Sequence, residues 1–75
     1  MAKAYVLINA ERGSEADVIN SLKKLQEVSE VYAVNGAYNV LCCLQTESME
    51  QIKTTLSWKI RRLDKVKSTR TAIVI

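Results

Sequence analysis

The strongest nucleophiles in this chain are two adjacent thiols, Cys42 and Cys43, and nothing near them in sequence is equipped to activate them. A reactive cysteine needs a neighbouring cation or base to hold it as thiolate. These two lie inside the apolar run Val40-Leu-Cys-Cys-Leu44, and the chain has no histidine. Ser-His and Cys-His pairs are thereby excluded. Adjacent strand positions point to opposite faces, so the two thiols neither bridge each other nor make a zinc site. The eight Asp and Glu residues are dispersed, and Gly13 and Gly36 are the only glycines, too few for a phosphate-cradling loop. No catalytic residue, metal or cofactor is expected, and the chain reads as a non-enzyme.

Binding chemistry remains. The net charge of +3 is unevenly placed: residues 1–38 hold four Lys/Arg against five Asp/Glu, and residues 39–75 hold seven against three. Lys53, Lys59, Arg61, Arg62, Lys65, Lys67 and Arg70 gather towards the end of a helical pattern and the strand after it. Cations at a helix C-terminus are favoured by its dipole, which accounts for several of them. Sheets that read RNA stack bases on aromatic side chains, whereas here only Tyr5 and Tyr38 are available and phenylalanine is absent. Direct nucleic-acid recognition is not expected.

The elements that position these groups follow from the hydrophobic pattern. Lys3 to Ala10 is a nearly continuous apolar run with Tyr, Val and Ile, which predicts a strand. Ser14 with Asp17 three residues on reads as a helix start, and Val18, Ile19, Leu22 and Leu25 recur at helical spacing. Val28–Val34 and Tyr38–Gln45 form two extended runs about Asn35-Gly36. That dipeptide suits a tight hairpin turn with positive φ at both central residues. Ser48 with Gln51 repeats the capping signature, followed by the stripe Met49, Ile52, Leu56, Ile60, Leu63 and a stop at Asp64-Lys65. Residues 66–75 make the last strand. The order predicts an α+β, ferredoxin-like βαββαβ sandwich: a four-stranded antiparallel sheet, first and third strands central, two helices on one face.

Two helices cover one face of such a sheet, so an isolated domain should alternate apolar and polar along its strands. Tyr5-Val-Leu-Ile8 and Val40-Leu-Cys-Cys-Leu44 are instead apolar on both faces, and Ala72-Ile-Val-Ile75 continues the pattern. At 75 residues without disulfides the domain is small enough to need help, and the open face predicts a homodimer formed sheet to sheet. Trp58 falls outside the buried stripe of its helix. It reads either as a partly exposed residue against its own neighbours or as a contact joining dimers into a ring. No apolar run is long enough for a membrane span, and a cytoplasmic protein is expected.

Val34-Asn-Gly-Ala-Tyr-Asn39, the apolar strand after it, a helix, and Thr69-Arg-Thr71 entering the last strand together resemble the effector domain of the leucine-responsive and asparagine-synthase (Lrp/AsnC) regulator family. That domain, the regulation of amino-acid metabolism (RAM) module, commonly carries Gly-x-Tyr-Asp at the hairpin and Thr-x-Thr at the last strand. The likeness covers the whole chain. It implies a dimer that assembles into higher oligomers, often octamers, and binds an amino acid or related small effector at clefts between dimers. Carried over residue by residue, Gly36, Ala37, Tyr38, Asn39, Thr69 and Thr71 would bind the effector. With no helix-turn-helix segment before its first strand, the chain reads as a single stand-alone effector domain over residues 1–75. It would act in transcriptional regulation alone or with full-length regulators.

Asn39 departs from the family's usual Asp. An amide cannot offer an effector's ammonium group a charged partner, so selectivity should differ, and Asn39→Asp is expected to alter effector binding without large loss of stability. Two alternatives stand beside the regulator reading. One is a small dimeric ferredoxin-like enzyme, monooxygenase- or isomerase-like, although the central strands supply few buried polar groups beyond Asn9. The other is a purely structural oligomer partner, which the apolar open face fits equally well.

Overall fold

The computed structural model describes residues 1–75. In chain order the elements are β1 (Ala2–Ala10), α1 (Glu15–Lys23), β2 (Val28–Ala33), β3 (Val40–Thr46), α2 (Met49–Thr55, continued by a π-helical turn over Leu56–Ile60) and β4 (Val66–Ile73). The strands form one antiparallel sheet ordered β2-β3-β1-β4, so β1 and β3 are central as the βαββαβ pattern requires. This is the expected ferredoxin-like fold. No helix is long and apolar enough to cross a membrane.

The core lies between the helices and one face of the two central strands. Ala4, Val6 and Ile8 of β1 and Val40, Cys42 and Leu44 of β3 are fully buried against Val18 and Leu22 of α1 and Ile52, Leu56 and Ile60 of α2. The last three recur strictly every fourth residue. On a regular α-helix that spacing drifts round the axis by about 40° per step. The π turn, closed by the Arg61 N–H on the Leu56 carbonyl at 2.9 Å, widens the helix where the drift would carry Ile60 off the core. Helical structure stops there and not at Asp64, and hydrogen bonds from Leu63 to Ile60 and from Val66 to Leu63 turn the chain into β4.

The two helix starts differ. Ser48 caps α2 by accepting from the Gln51 N–H at 3.3 Å, and the Gln51 side chain accepts in turn from the Glu47 N–H at 3.0 Å. Ser14 makes no such bond. Its backbone departs from the extended conformation of a capping residue, and Glu15 instead reaches back to accept from the Gly13 N–H, ahead of the helix, at 2.9 Å. Gly13 has φ +91°, which only glycine adopts without strain.

The hairpin departs from its expectation as well. The register pairs Ala33 with Val40, so β2 stops at Ala33, β3 starts at Val40, and residues 34–39 form a wider connection closed by the Val34 N–H on the Asn39 carbonyl at 3.0 Å. Neither Asn35 nor Gly36 has positive φ, so the tight two-residue turn does not form. The cause lies outside the hairpin, in what Asn39 binds.

On the open face of the sheet, Tyr5, Leu7, Leu41 and Cys43 form a central apolar strip, with Tyr32 on one side and Ala72 on the other. Tyr5 and Tyr32 are 37% and 51% exposed, and Cys43, opposite Tyr5, is buried. Lys3, Glu30, Gln45 and Arg70 rim the strip. β4 is more exposed than the central strands. Ile73 lies on the helix-side face yet remains 43% exposed, because neither helix extends over that edge.

Candidate functional site

The hairpin and the start of β4 meet at one end of the sheet, on either side of the last residues of β1. Asn39 is fixed there by three hydrogen bonds. Its Oδ1 accepts from the Ala10 N–H at 2.8 Å, and its Nδ2 donates to the Ala10 carbonyl at 3.0 Å and to Glu15 Oε2 at 3.2 Å. The side-chain amide thus acts as one more peptide in the β1–β3 ladder, extending it beyond the Ile8–Val40 pair. The backbone does the same, since the Asn39 N–H donates to the Ile8 carbonyl at 3.1 Å. Holding Asn39 at this position fixes the register of β3 and leaves too many residues for a two-residue turn.

Glu15 completes the cluster. Its own backbone N–H, that of Gly13 and the Asn39 amide hold its carboxyl below the usual range. The loop between β1 and α1, the first turn of α1 and the foot of the hairpin are therefore one hydrogen-bonded unit. The expectation that position 39 is free of structural work does not hold: both polar atoms of Asn39 are engaged within the protomer.

The other residues singled out by the resemblance separate into groups. Gly36 and Ala37 are exposed at the loop tip, and Tyr38 is half-buried. A Cβ on Gly36 would meet only the Tyr38 carbonyl at 3.7 Å, so neither conformation nor space requires glycine. Thr69 and Thr71 lie opposite Ile8 and Val6, on the face of the sheet that carries the helices. Thr71 Oγ1 is buried without a hydrogen-bond partner. Thr69 Oγ1 accepts from Arg61 Nε at 3.4 Å and lines a concavity of about 340 Å³ with Arg61, Val66, Lys67 and Ser68. No concavity of the protomer is lined by residues 36–39 together with the threonines.

Arg61, Lys67 and Ser68 are thus site residues that the sequence alone assigns only to a basic stretch. What brings them together is a register shift between Asn9 and Ala10. Ser68 pairs with Asn9 and Val66 with Ala10, leaving Lys67 as the extra residue of a β-bulge. Nothing in local sequence marks it. The two thiols behave as the sequence implies: both are buried, and burial pushes the Cys42 thiol up to about 12, with Cys43 adding to the effect.

Comparison with known proteins gives these features a setting. The HTH-type transcriptional regulator FL11 of Pyrococcus abyssi is 32% identical over 72 residues, which cover 96% of this chain and 47% of that protein. The chain therefore spans about half the length of the curated relatives it matches. Among solved structures, that of FFRP-DM1 superposes with a TM-score of 0.97 at 29% identity, covering 100% of both chains. The feast or famine regulatory protein Rv3291c of M. tuberculosis, complexed with L-methionine, superposes with a TM-score of 0.82 at 25% identity over 100% of this chain and 50% of that one. The family model described as the Lrp/AsnC ligand binding domain matches residues 3–75, β1 to β4 with both helices, and on that match the chain belongs to the Lrp/AsnC ligand-binding domain family.

Proposed function

We propose that this chain is a non-enzymatic effector-binding and oligomerisation module of the Lrp/AsnC type. It binds an amino acid or related small effector at clefts between dimers and thereby modulates transcriptional regulation in the cytoplasm. It does so by itself or in mixed assemblies with other Lrp/AsnC regulators. The observation that carries this reading is the methionine complex of a relative whose fold matches this chain from end to end. The protomer's own geometry supports the assembly half. Tyr5, Leu7, Tyr32 and Leu41 form an apolar strip on a sheet face that no helix covers, and a two-fold contact with a second copy would bury it. The exposed loop tip at Gly36 and Ala37 would then meet a neighbouring dimer, with Tyr38 beside it and Thr69 and Thr71 on the strand beyond β1. Asn39 sets the position of that loop. Trp58, 65% exposed with the Arg62 guanidinium 5.0 Å from its ring centre, is available for a dimer–dimer contact in a larger ring such as an octamer.

One specific observation favours a purely structural partner as the second reading: Asn39, the one polar residue of the hairpin proposed for the cleft apart from Tyr38, has both its polar atoms engaged within the protomer. A calorimetric and thermal-shift screen of the common amino acids separates the two, because a ligand bound only to the native state raises its melting temperature. Heat or a shift with at least one amino acid is the expected result. Silence across the panel removes the effector role and leaves the structural partner. Light scattering tests the assembly independently, and a monomeric mass at micromolar concentration would refute the dimer.

A further inference from the structure

We propose that the concavity between the π-helical turn of α2 and the bulged start of β4 is a binding site for a small anion without an ammonium group, a carboxylate or a phosphate. Arg61, Val66, Lys67, Ser68 and Thr69 line it, with two cations, the Thr69 hydroxyl on the helix-side face and no carboxylate among them. Its volume of about 340 Å³ falls at the lower end of the ~300–1,000 Å³ typical of ligand pockets. The ion pairs of the protein are Lys59–Glu27, Lys65–Glu11 and Lys65–Asp64, so neither Arg61 nor Lys67 has a carboxylate partner. Of the guanidinium donors, Nε alone is engaged, weakly, at 3.4 Å from Thr69 Oγ1. That contact orients the side chain along β4 and leaves its terminal nitrogens free for a two-pronged bond to a carboxylate or phosphate.

The dipole of the helix end explains a cation at Arg61 but not one at Lys67, which lies on a strand. Lys67 lines the same concavity because the bulge gives it no place in the β1 ladder. Two unneutralised cations around one hollow repel each other, and an anion between them relieves the repulsion. A free amino acid fits poorly, since its ammonium group would meet both cations and find no carboxylate to receive it. The site therefore distinguishes a 2-oxo acid or a phosphate from the zwitterion of the same skeleton. It lies within one protomer and shares only Thr69 with the proposed effector cleft, so it stands whether or not the amino-acid screen succeeds.

The test is an amide-resolved NMR titration of the intact chain at constant ionic strength with inorganic phosphate, pyruvate and L-alanine in parallel. Pyruvate or phosphate, or both, should produce saturable shifts at the amides of Lys67, Ser68 and Thr69, while alanine at the same concentrations leaves them in place. The anion that saturates first identifies the source. Arg61→Gln and Lys67→Gln should each weaken that binding about tenfold with little change in melting temperature, as both side chains are exposed. Absence of saturable shifts with both anions, equal saturation by alanine, or unchanged affinity in both variants would overturn the proposal. The comparison of the three probes on the unaltered chain decides the matter even if a variant folds poorly.

Discussion

Replacing Asn39 by Asp changes one nitrogen to oxygen, and the structure says which bonds follow. The bond accepted from the Ala10 N–H at 2.8 Å survives, since a carboxylate oxygen accepts as an amide oxygen does. The bond donated to the Ala10 carbonyl at 3.0 Å is lost and replaced by two oxygens facing each other. An intramolecular hydrogen bond contributes about 0.5–1.5 kcal/mol, and a carbonyl left unpaired in a partly buried position adds to the loss. The backbone part alone predicts a destabilisation of about 1–2 kcal/mol, or ~4–16 °C in melting temperature for a domain of this size. The contact with Glu15 Oε2 at 3.2 Å turns from attraction to repulsion between carboxylates and pushes in the same direction at neutral pH. Thermal melts of Asn39→Asp at fixed protein concentration, at pH 7 and pH 4, measure both parts. The loss should be larger at pH 7, because protonating either carboxyl relieves the repulsion. Adding Glu15→Gln should recover stability at pH 7 but not at pH 4. A variant as stable as the parent at both pH values would refute the clamp and return position 39 to the effector cleft.

Two further outcomes follow from particular residues. Gly13→Ala should cost about 1–2 kcal/mol in urea unfolding, because φ +91° forces a side chain into the left-handed region, while Gly36→Ala should stay within about 0.5 kcal/mol. Glu27, whose carboxyl the Lys59 ammonium at 2.7 Å holds below its ordinary 4.5, favours the fold above that pH, and its contribution is lost as pH falls through the lowered folded value. Melting temperature should therefore drop on acidification below about pH 4.5, and Glu27→Gln should flatten part of that slope.

Much of this was legible because it is local and periodic. Val18, Leu22, Ile52, Leu56 and Ile60 announce their helices by spacing, and Tyr5, Leu7, Leu41 and Cys43 declare the central strands by being apolar where a half-covered strand would turn polar. Asn35-Gly36 misled because turn preference is a property of a dipeptide, whereas the register was set by a side chain reaching Ala10, twenty-nine positions away. Ser14 misled similarly: its type fits a cap, but its backbone is not in the extended conformation from which a cap side chain reaches the first helical N–H groups. The candidate site was readable only as a family likeness. Arg61, Lys67 and Ser68 became neighbours through a bulge that nothing in local sequence marks and a widened helical turn whose trace is only the strict four-residue spacing of Ile52, Leu56 and Ile60.

The π turn also bears on how this fold tolerates changes in length. A widened turn is what an α-helix becomes when it accommodates one residue too many. Removing a residue between Leu56 and Ile60 would thus leave a helix able to continue, whereas a deletion in the regular part of α2 would break the stripe outright. The shortened chain would keep everything after the deletion in the same rotational phase, because the wide turn already absorbs the roughly 100° that one residue adds. Homologous chains one residue shorter here would keep Ile60 on the core and Arg61 facing β4. In this fold, a single codon can be lost from the second half of α2 without rebuilding the core.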